Sequence, residues 1–331
     1  MYKKCAIFFA FIITGFLQVF LNAADYNIVF IHIGNKLPQY AEIALRQARS
    51  FNPECPIILL SSKSAIRSLS HDALNANITT IDYESLARTT EHARFIQRST
   101  LDNHWREGFW RCTSERFLYL NDLMTQYGLK NVFHMEYDNM LYANLEELLP
   151  IFQTQYKGIA ATFDNDKRCI AGFIFIPNPQ RMKRLANSFA NHASKKLNDM
   201  ELIALFKKEN GYNAIDHLPI VHEEYVQQHA LISPTGHKAQ NKAKYCQNIH
   251  LFHSIFDAAA IGQYLGGIDP SNGNSTPGFI NESCVFNPSL LSYEWIRDSQ
   301  GRKVPYAVYN GIKYRINNLH IHSKQLHEFA S

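Results

Sequence analysis

The sequence predicts an α/β fold: a single Rossmann-like domain around a central, mostly parallel sheet, with a loop-rich C-terminal half. Three observations predict it. Compact apolar runs such as Asn27-Ile-Val-Phe-Ile-His-Ile read as strands buried on both faces. These runs alternate with segments that carry apolar residues at helical spacing, and strand–helix–strand order implies parallel pairing through right-handed crossovers. The 331 residues are 46% apolar and 13% aromatic, enough for one large core, and no composition break marks a linker.

The first strand falls within Tyr26 to Ile33, and after a turn at Gly34 to Pro38 a helix covers Tyr40 to Ser50. Pro56 to Leu60 and Ile78 to Asp82 are the second and third strands. Phe117, Leu120, Leu123 and Met124 lie on one side of an amphipathic helix over Thr113 to Tyr127, which is followed by a short strand, Val132 to Met135, and a helix, Leu145 to Phe152. Strands at Gly158 to Phe163 and Ile170 to Ile176 flank a polar loop, and helices follow near Pro179 to Ala193 and Asp199 to Lys208. Beyond Gly211 the pattern weakens into short apolar runs, many His and Tyr, and a Gly/Asn/Pro-rich stretch from Gly266 to Gly278. Tyr314 to His322 is strand-like again.

Residues 1–24 stand apart from this domain, which occupies 25–331. Lys3 and Lys4 precede the apolar run Cys5 to Leu21, and Ala23 and Ala24 follow, the order of a secretory signal peptide. Cleavage after Ala23 or Ala24 is favoured, and the setting is then secretory, periplasmic or extracellular. An uncleaved anchor is the alternative and would bring the chain to a membrane through residues 5–21. The sequons at Asn77, Asn274 and Asn281 fit that route. The cysteines outside the leader (Cys55, Cys112, Cys169, Cys246, Cys284) are widely spaced, so a zinc knuckle is disfavoured and no disulfide is assigned. A net charge of +4 gives no general case for nucleic acid, and Arg94, Arg98, Arg106 and Arg111, set among aromatics, lack any RNP, helix-turn-helix or zinc pattern.

In open parallel sheets ligands sit beyond the carboxyl ends of strands, near the switch in strand order. Polar residues just after the strands are therefore the ones to weigh. No GxGxxG follows the first strand and no GxxxxGK[ST] occurs, which disfavours dinucleotide and P-loop binding. In Val132-Phe-His-Met-Glu136-Tyr-Asp138 an apolar strand runs straight into two carboxylates at i and i+2. Period-two geometry sets both on one side if the strand continues, and carboxylate oxygens suit a hard divalent cation able to bridge to a diphosphate. Two solvated acids at a strand end are the plain alternative.

On a strand, His320, His322 and Lys324 would share a face, where an imidazole can bind a manganese-like ion and a lysine can neutralise a phosphate. Gly172, inside a strand, marks close approach of a ligand or of another backbone. Asp257 either caps a short helix containing Gln263 or faces a substrate.

Phe109-Trp-Arg-Cys-Thr-Ser-Glu-Arg-Phe, then a helix, then Val132-Phe-His-Met-Glu-Tyr-Asp-Asn-Met-Leu-Tyr resembles the metal-dependent glycosyltransferases of the A-type (GT-A) fold. The resemblance implies a nucleotide-diphosphate sugar as donor, a glycan, protein or lipid as acceptor, and Mn²⁺ or Mg²⁺ on a DxD-like motif. Asp138 would bind the metal, Glu136 would stand where the first acid contacts donor ribose or metal-bound water, and a late histidine would complete the site, His322 first and His320 second. Lys324 and Arg111 would contact the diphosphate, and Ile33, Gly34 and Ser61 would lie around the base. Ala171, Gly172 and Gln263, with Asp164 or Asp166 as hydroxyl partners, would line the sugar pocket. Asp257, or more weakly Asp269, would orient hydroxyls or act as general base. The rivals are a nucleotidylyltransferase, which would want a glycine-rich basic loop where Gly34-Asn-Lys-Leu-Pro stands, and a secreted carbohydrate-binding or inactive transferase-like protein.

Overall fold

A computed structural model describes residues 24–331 apart from Tyr212, so the leader, but for Ala24, lies outside the described residues. The main sheet has seven strands in the order β3-β2-β1-β4-β7-β6-β8. They are β1 (Asn27–Ile31), β2 (Ile57–Ser61), β3 (Ile78–Asp82), β4 (Val132–Met135), β6 (Ile159–Asn165), β7 (Arg168–Ile176) and β8 (Ile215–His217). Strands β1 to β4 run parallel, β7 opposes both β4 and β6, and β8 runs with β6, so the sheet is mostly parallel as expected. Every residue of β1, β2, β4 and β6 is buried, which their near-continuous apolar sequence requires.

Helices of nine residues or more are α1 (Gln39–Phe51), α2 (Thr90–Arg98), α3 (Phe109–Tyr127), α4 (Leu145–Gln155), α5 (Pro179–His192) and α6 (Asp199–Asn210). Their boundaries have local causes. Asn144 and Asn178 cap α4 and α5 through their side chains, Pro179 opens α5, and Asn198 with Glu201 forms a capping box on α6. Helix α3 starts four residues before the expected Thr113, because Gly108 at φ +78° releases the chain into it, and Gly128 at φ +69° ends it.

The C-terminal half is less irregular than its sequence suggests. A second sheet has the order β10-β11-β12-β9, from β9 (Ser254–Ile255), β10 (Ser292–Arg297), β11 (Lys303–Tyr309) and β12 (Ile312–Ile316). The hairpin β10–β11 was not expected: Ser292-Tyr293-Glu294-Trp295 of β10 alternates polar and aromatic residues, but the strand is exposed along most of its length. The strand expected over Tyr314 to His322 breaks at Asn317. Strand β12 joins the second sheet, whereas β13 (Asn318–His320) pairs antiparallel with the short β5 (Asn139–Leu141). Helix α2 carries no strong sequence signal and was not expected.

An aromatic core joins the two halves. Phe152 of α4 lies 5.0 Å from Phe133, 4.9 Å from Phe175 and 5.2 Å from Phe252 between ring centroids, and Phe173 lies 5.2 Å from Phe256. Truncating any of these rings to alanine would cost about 3–5 kcal/mol. The five cysteines of the described residues are free. Asn77 and Asn274 are exposed, but Asn281 is buried with its amide against the Ala259 carbonyl, so a glycan does not fit there. Among the described residues no helix is long and apolar enough to cross a membrane.

Candidate metal centre

The strand order reverses between β1 and β4, and the chain leaving β4 carries Glu136, Tyr137 and Asp138 before it enters β5. Strand β13 lies against β5 with His320 opposite Asn139, and the Ile321 amide donates to the Asp138 carbonyl at 2.8 Å. Two segments remote in sequence are thereby fixed side by side. The Nε2 of His320 is 3.3 Å from Asp138 Oδ2 and 3.5 Å from Glu136 Oε2. One ligand atom from each of Glu136, Asp138 and His320 lies within 4.8 Å of the other two.

The floor of this cluster is a bulge in β7. Ala161 of β6 pairs with Ile174 and Thr162 with Ile170, leaving Ala171 to Phe173 out of step. The Gly172 carbonyl accepts the Glu136 amide at 3.0 Å. A Cβ on Gly172 would lie 2.8 Å from Asn139 Nδ2 and from His320 Nδ1, and 3.2 Å from Glu136 Oε2. The sequence suggested close approach of a ligand or of another backbone; what approaches Gly172 is instead side chains, two of them from the centre itself.

Two cations balance the acids. Burial alone would raise Asp138, but Lys324 and then His320 hold it well below the usual carboxylate range. Burial works the same way on Glu136, and Arg116 overrides it. Arg116, nearly buried in α3, bonds Glu136 and reaches Asp199 Oδ2 at 2.8 Å, while Lys324 bonds Asp138 directly. The donor chemistry fits Mn²⁺ or Mg²⁺: two hard carboxylates, an imidazole nitrogen between them, and counter-charges that hold the acids ionised.

Several expected roles shift. His322, the first choice for the late ligand, is outside the cluster because β13 ends at His320 and the His322 amide turns back onto the His320 carbonyl. Its Nδ1 instead accepts from the Asp269 amide at 3.0 Å, and burial, then His320 and Lys324, lower it to about 4. Lys324 reaches Asp138 from that turn, at φ +67°, rather than from a shared strand face. Arg111 is held by Asn103 at 2.8 Å and Glu115 at 3.4 Å, away from the acids. The cation on Glu136 is Arg116, which sequence reading missed. Its signal was a charge on the same helical stripe as Leu120, Leu123 and Tyr127.

Asp257 is not placed as a base. Its Oδ1 accepts the Ala260 and Ile261 amides and its Oδ2 those of Gly262 and His320, at 2.8–3.0 Å, so both oxygens are spent on backbone. It caps the helix Ile261–Gly266 and ties it to β13. Asp269 accepts from Ser271 and borders His322. Asp166 spends its oxygens on Tyr245 and the Gln240 amide, and Asp164, wholly buried beside Arg168 at 3.2 Å, is pushed up to about 7 by burial; neither is at the cluster. Ser61 is buried and donates to the His32 carbonyl, bracing the turn that carries Ile33 and Gly34. Ala171 lies in the bulge beside Gly172, and Gln263 is buried with Oε1 lacking a hydrogen-bond partner.

No family model matches the sequence, and no curated protein matches it. Solved structures do match. Mouse xyloside xylosyltransferase 1 is 10% identical, with a TM-score of 0.44 over 62% of this chain and 90% of that one. The galactosyltransferase LgtC, in complex with donor and acceptor sugar analogs, is 13% identical, with a TM-score of 0.37 over 58% and 73%. A cytidylyltransferase from Leptospira borgpetersenii is 10% identical, with a TM-score of 0.37 over 60% and 77%. All three TM-scores lie below 0.5, and the chemistry has to come from the residues of this chain.

Proposed function

We propose that the protein is a metal-dependent glycosyltransferase that moves a sugar from a nucleoside-diphosphate donor to a glycan, protein or lipid acceptor. The observation that supports it is the convergence of Glu136, Asp138 and His320 beyond the carboxyl end of β4, beside the switch in strand order. Mn²⁺ or Mg²⁺ held there would supply Lewis-acid stabilisation of the departing diphosphate. Asp138 and Glu136 provide the charge that retains the cation, and His320 the nitrogen. Arg116 keeps Glu136 ionised and in place. Lys324, close to Asp138, is positioned to pair with a phosphate oxygen as the bond to the anomeric carbon breaks.

The donor base belongs at the end of β1, near Ile33 and Gly34, where Tyr137 bonds His32 at 3.2 Å and Tyr40 packs on Tyr137. Ala171, Gly172 and Gln263 border the sugar. Residues 1–24 act as the signal that directs the catalytic domain, 25–331, into a secretory or extracytoplasmic setting.

Thermal unfolding with Mn²⁺ and a panel of nucleoside diphosphates tests the reading. The midpoint should rise by several degrees with one of the panel, return to baseline in EDTA, and stay flat in Asp138→Asn. Sugar transfer that persists undiminished in EDTA would overturn the mechanism, and a shift with free glycans alone would mark a carbohydrate binder instead.

A further inference from the structure

We propose that the aromatic cluster of exposed Trp105 and Phe109 with half-buried Trp110 is the acceptor subsite, a platform on which a sugar ring of a carbohydrate acceptor stacks; this rests on the transferase reading. The two indoles lie parallel, 3° apart with centroids at 5.9 Å, and the Phe109 ring stands 77° and 74° to them. Trp105 is 44% and Phe109 41% exposed, an uncommon outlay of aromatic surface at one place. The faces of such rings carry negative charge and attract polarised C–H groups, which a pyranose presents on one face while its hydroxyls point outward. Within three residues of these rings along the chain lie Asp102, Asn103 and Glu107, all exposed, and Arg111, partly exposed, donors and acceptors of both signs that suit hydroxyls.

Position sets the occupant. The platform rings Phe109 and Trp110 open α3, and Arg116, which grips Glu136, lies six to seven residues later, a rise of about 10 Å, the reach of a disaccharide. On the other side Arg106 lies over Trp105 and donates to the Ser271 carbonyl and Asn272 Oδ1, both at 2.9 Å. That turn is capped by Asp269, whose amide bonds His322, two residues beyond the ligand His320. Both supports of the platform therefore lead to the metal centre. A bilayer surface fits less well: Arg106 and Arg111 are already engaged and acids share the rim, whereas an anionic membrane calls for a one-sign basic face.

The chain has three tryptophans, Trp105, Trp110 and Trp295, so in a Trp295→Phe background indole fluorescence reports the platform alone. The full-length protein would be titrated with hexose, hexosamine and pentose oligosaccharides of four to six units, with and without Mn²⁺ and nucleoside diphosphate, and separately with phosphatidylserine-containing vesicles. The expected result is a saturable change with at least one oligosaccharide series, weakened at least tenfold by Trp105→Ala and by Phe109→Ser. In both variants the stabilisation by Mn²⁺ and nucleoside diphosphate, and the slow hydrolysis of the donor by water, should be unchanged. A response to no oligosaccharide, oligosaccharide binding indifferent to both substitutions, or a response to vesicles only would each overturn the proposal. Loss of the metal and nucleotide response in the parent protein would instead sink the transferase reading on which it stands.

Discussion

At residue scale the centre is a problem of crowding. Gly172 leaves no room for a side chain between His320, Asn139 and Glu136, so Gly172→Ala should displace the imidazole rather than leave it in place. The expected outcome is a loss of about 1–3 kcal/mol in stability from overpacking, with apparent Mn²⁺ affinity, read from a thermal titration, down about tenfold or more. A variant that binds Mn²⁺ like the parent would remove His320 from the ligand set. The acids themselves were legible because two carboxylates after an apolar run is a pattern in consecutive residues. The choice between His320 and His322 was not, because it turns on where β13 stops, and nothing in Leu319-His-Ile-His-Ser marks that end. Arg116 was hidden for a different reason: its partners, Glu136 and Asp199, are separated from it by 20 and 83 positions.

At the scale of elements, long apolar-rich segments were readable and short or exposed ones were not. Helix α1 and β4 fall where spacing put them, since each buries one face or both, and β3 does so although Ile81 is its one fully buried residue. Strand β10 is exposed along most of its length and helix α2 buries only His92 and Phe95, so few core-facing residues mark either element. Asp257 shows how an element joint can pass for chemistry. One carboxylate accepts four backbone amides, from three residues at the start of a short helix and from His320. Asp257→Asn keeps the shape but turns one acceptor into a donor facing two amides, so a stability loss of about 3 kcal/mol is expected together with weaker Mn²⁺ binding. Were Asp257 instead a general base, the same variant would melt like the parent and lose only turnover; denaturation curves beside single-turnover rates separate the two.

At the scale of the whole molecule, buried neutral histidines set a pH limit. Burial lowers His222 to about 4, and neither of its ring nitrogens has a hydrogen-bond partner. The unfolded chain takes up that proton near pH 6.5 and the folded chain only near 4, so stability is full above 6.5 and falls as pH drops through this window. The share due to His222 at pH 5 is about 2 kcal/mol. His222→Phe, which can pack on Tyr314 as the imidazole does at 4.2 Å, should lose several degrees less in melting temperature between pH 7 and pH 5 than the parent. Equal losses would show that the site charges at no cost.

The two-stranded sheet of β5 and β13 has one further consequence, for the order of events on the ribosome. Asp138 and its partner Lys324 are 186 residues apart, and among the described residues β13 is the one strand hydrogen-bonded to β5. While a growing chain folds from its N-terminus, the acids and the bare edge of β5 must wait, open to wrong pairing, until β13 and Lys324 emerge to cover them. The cluster of acids and imidazole can thus be assembled only after β13 and Lys324 have been made.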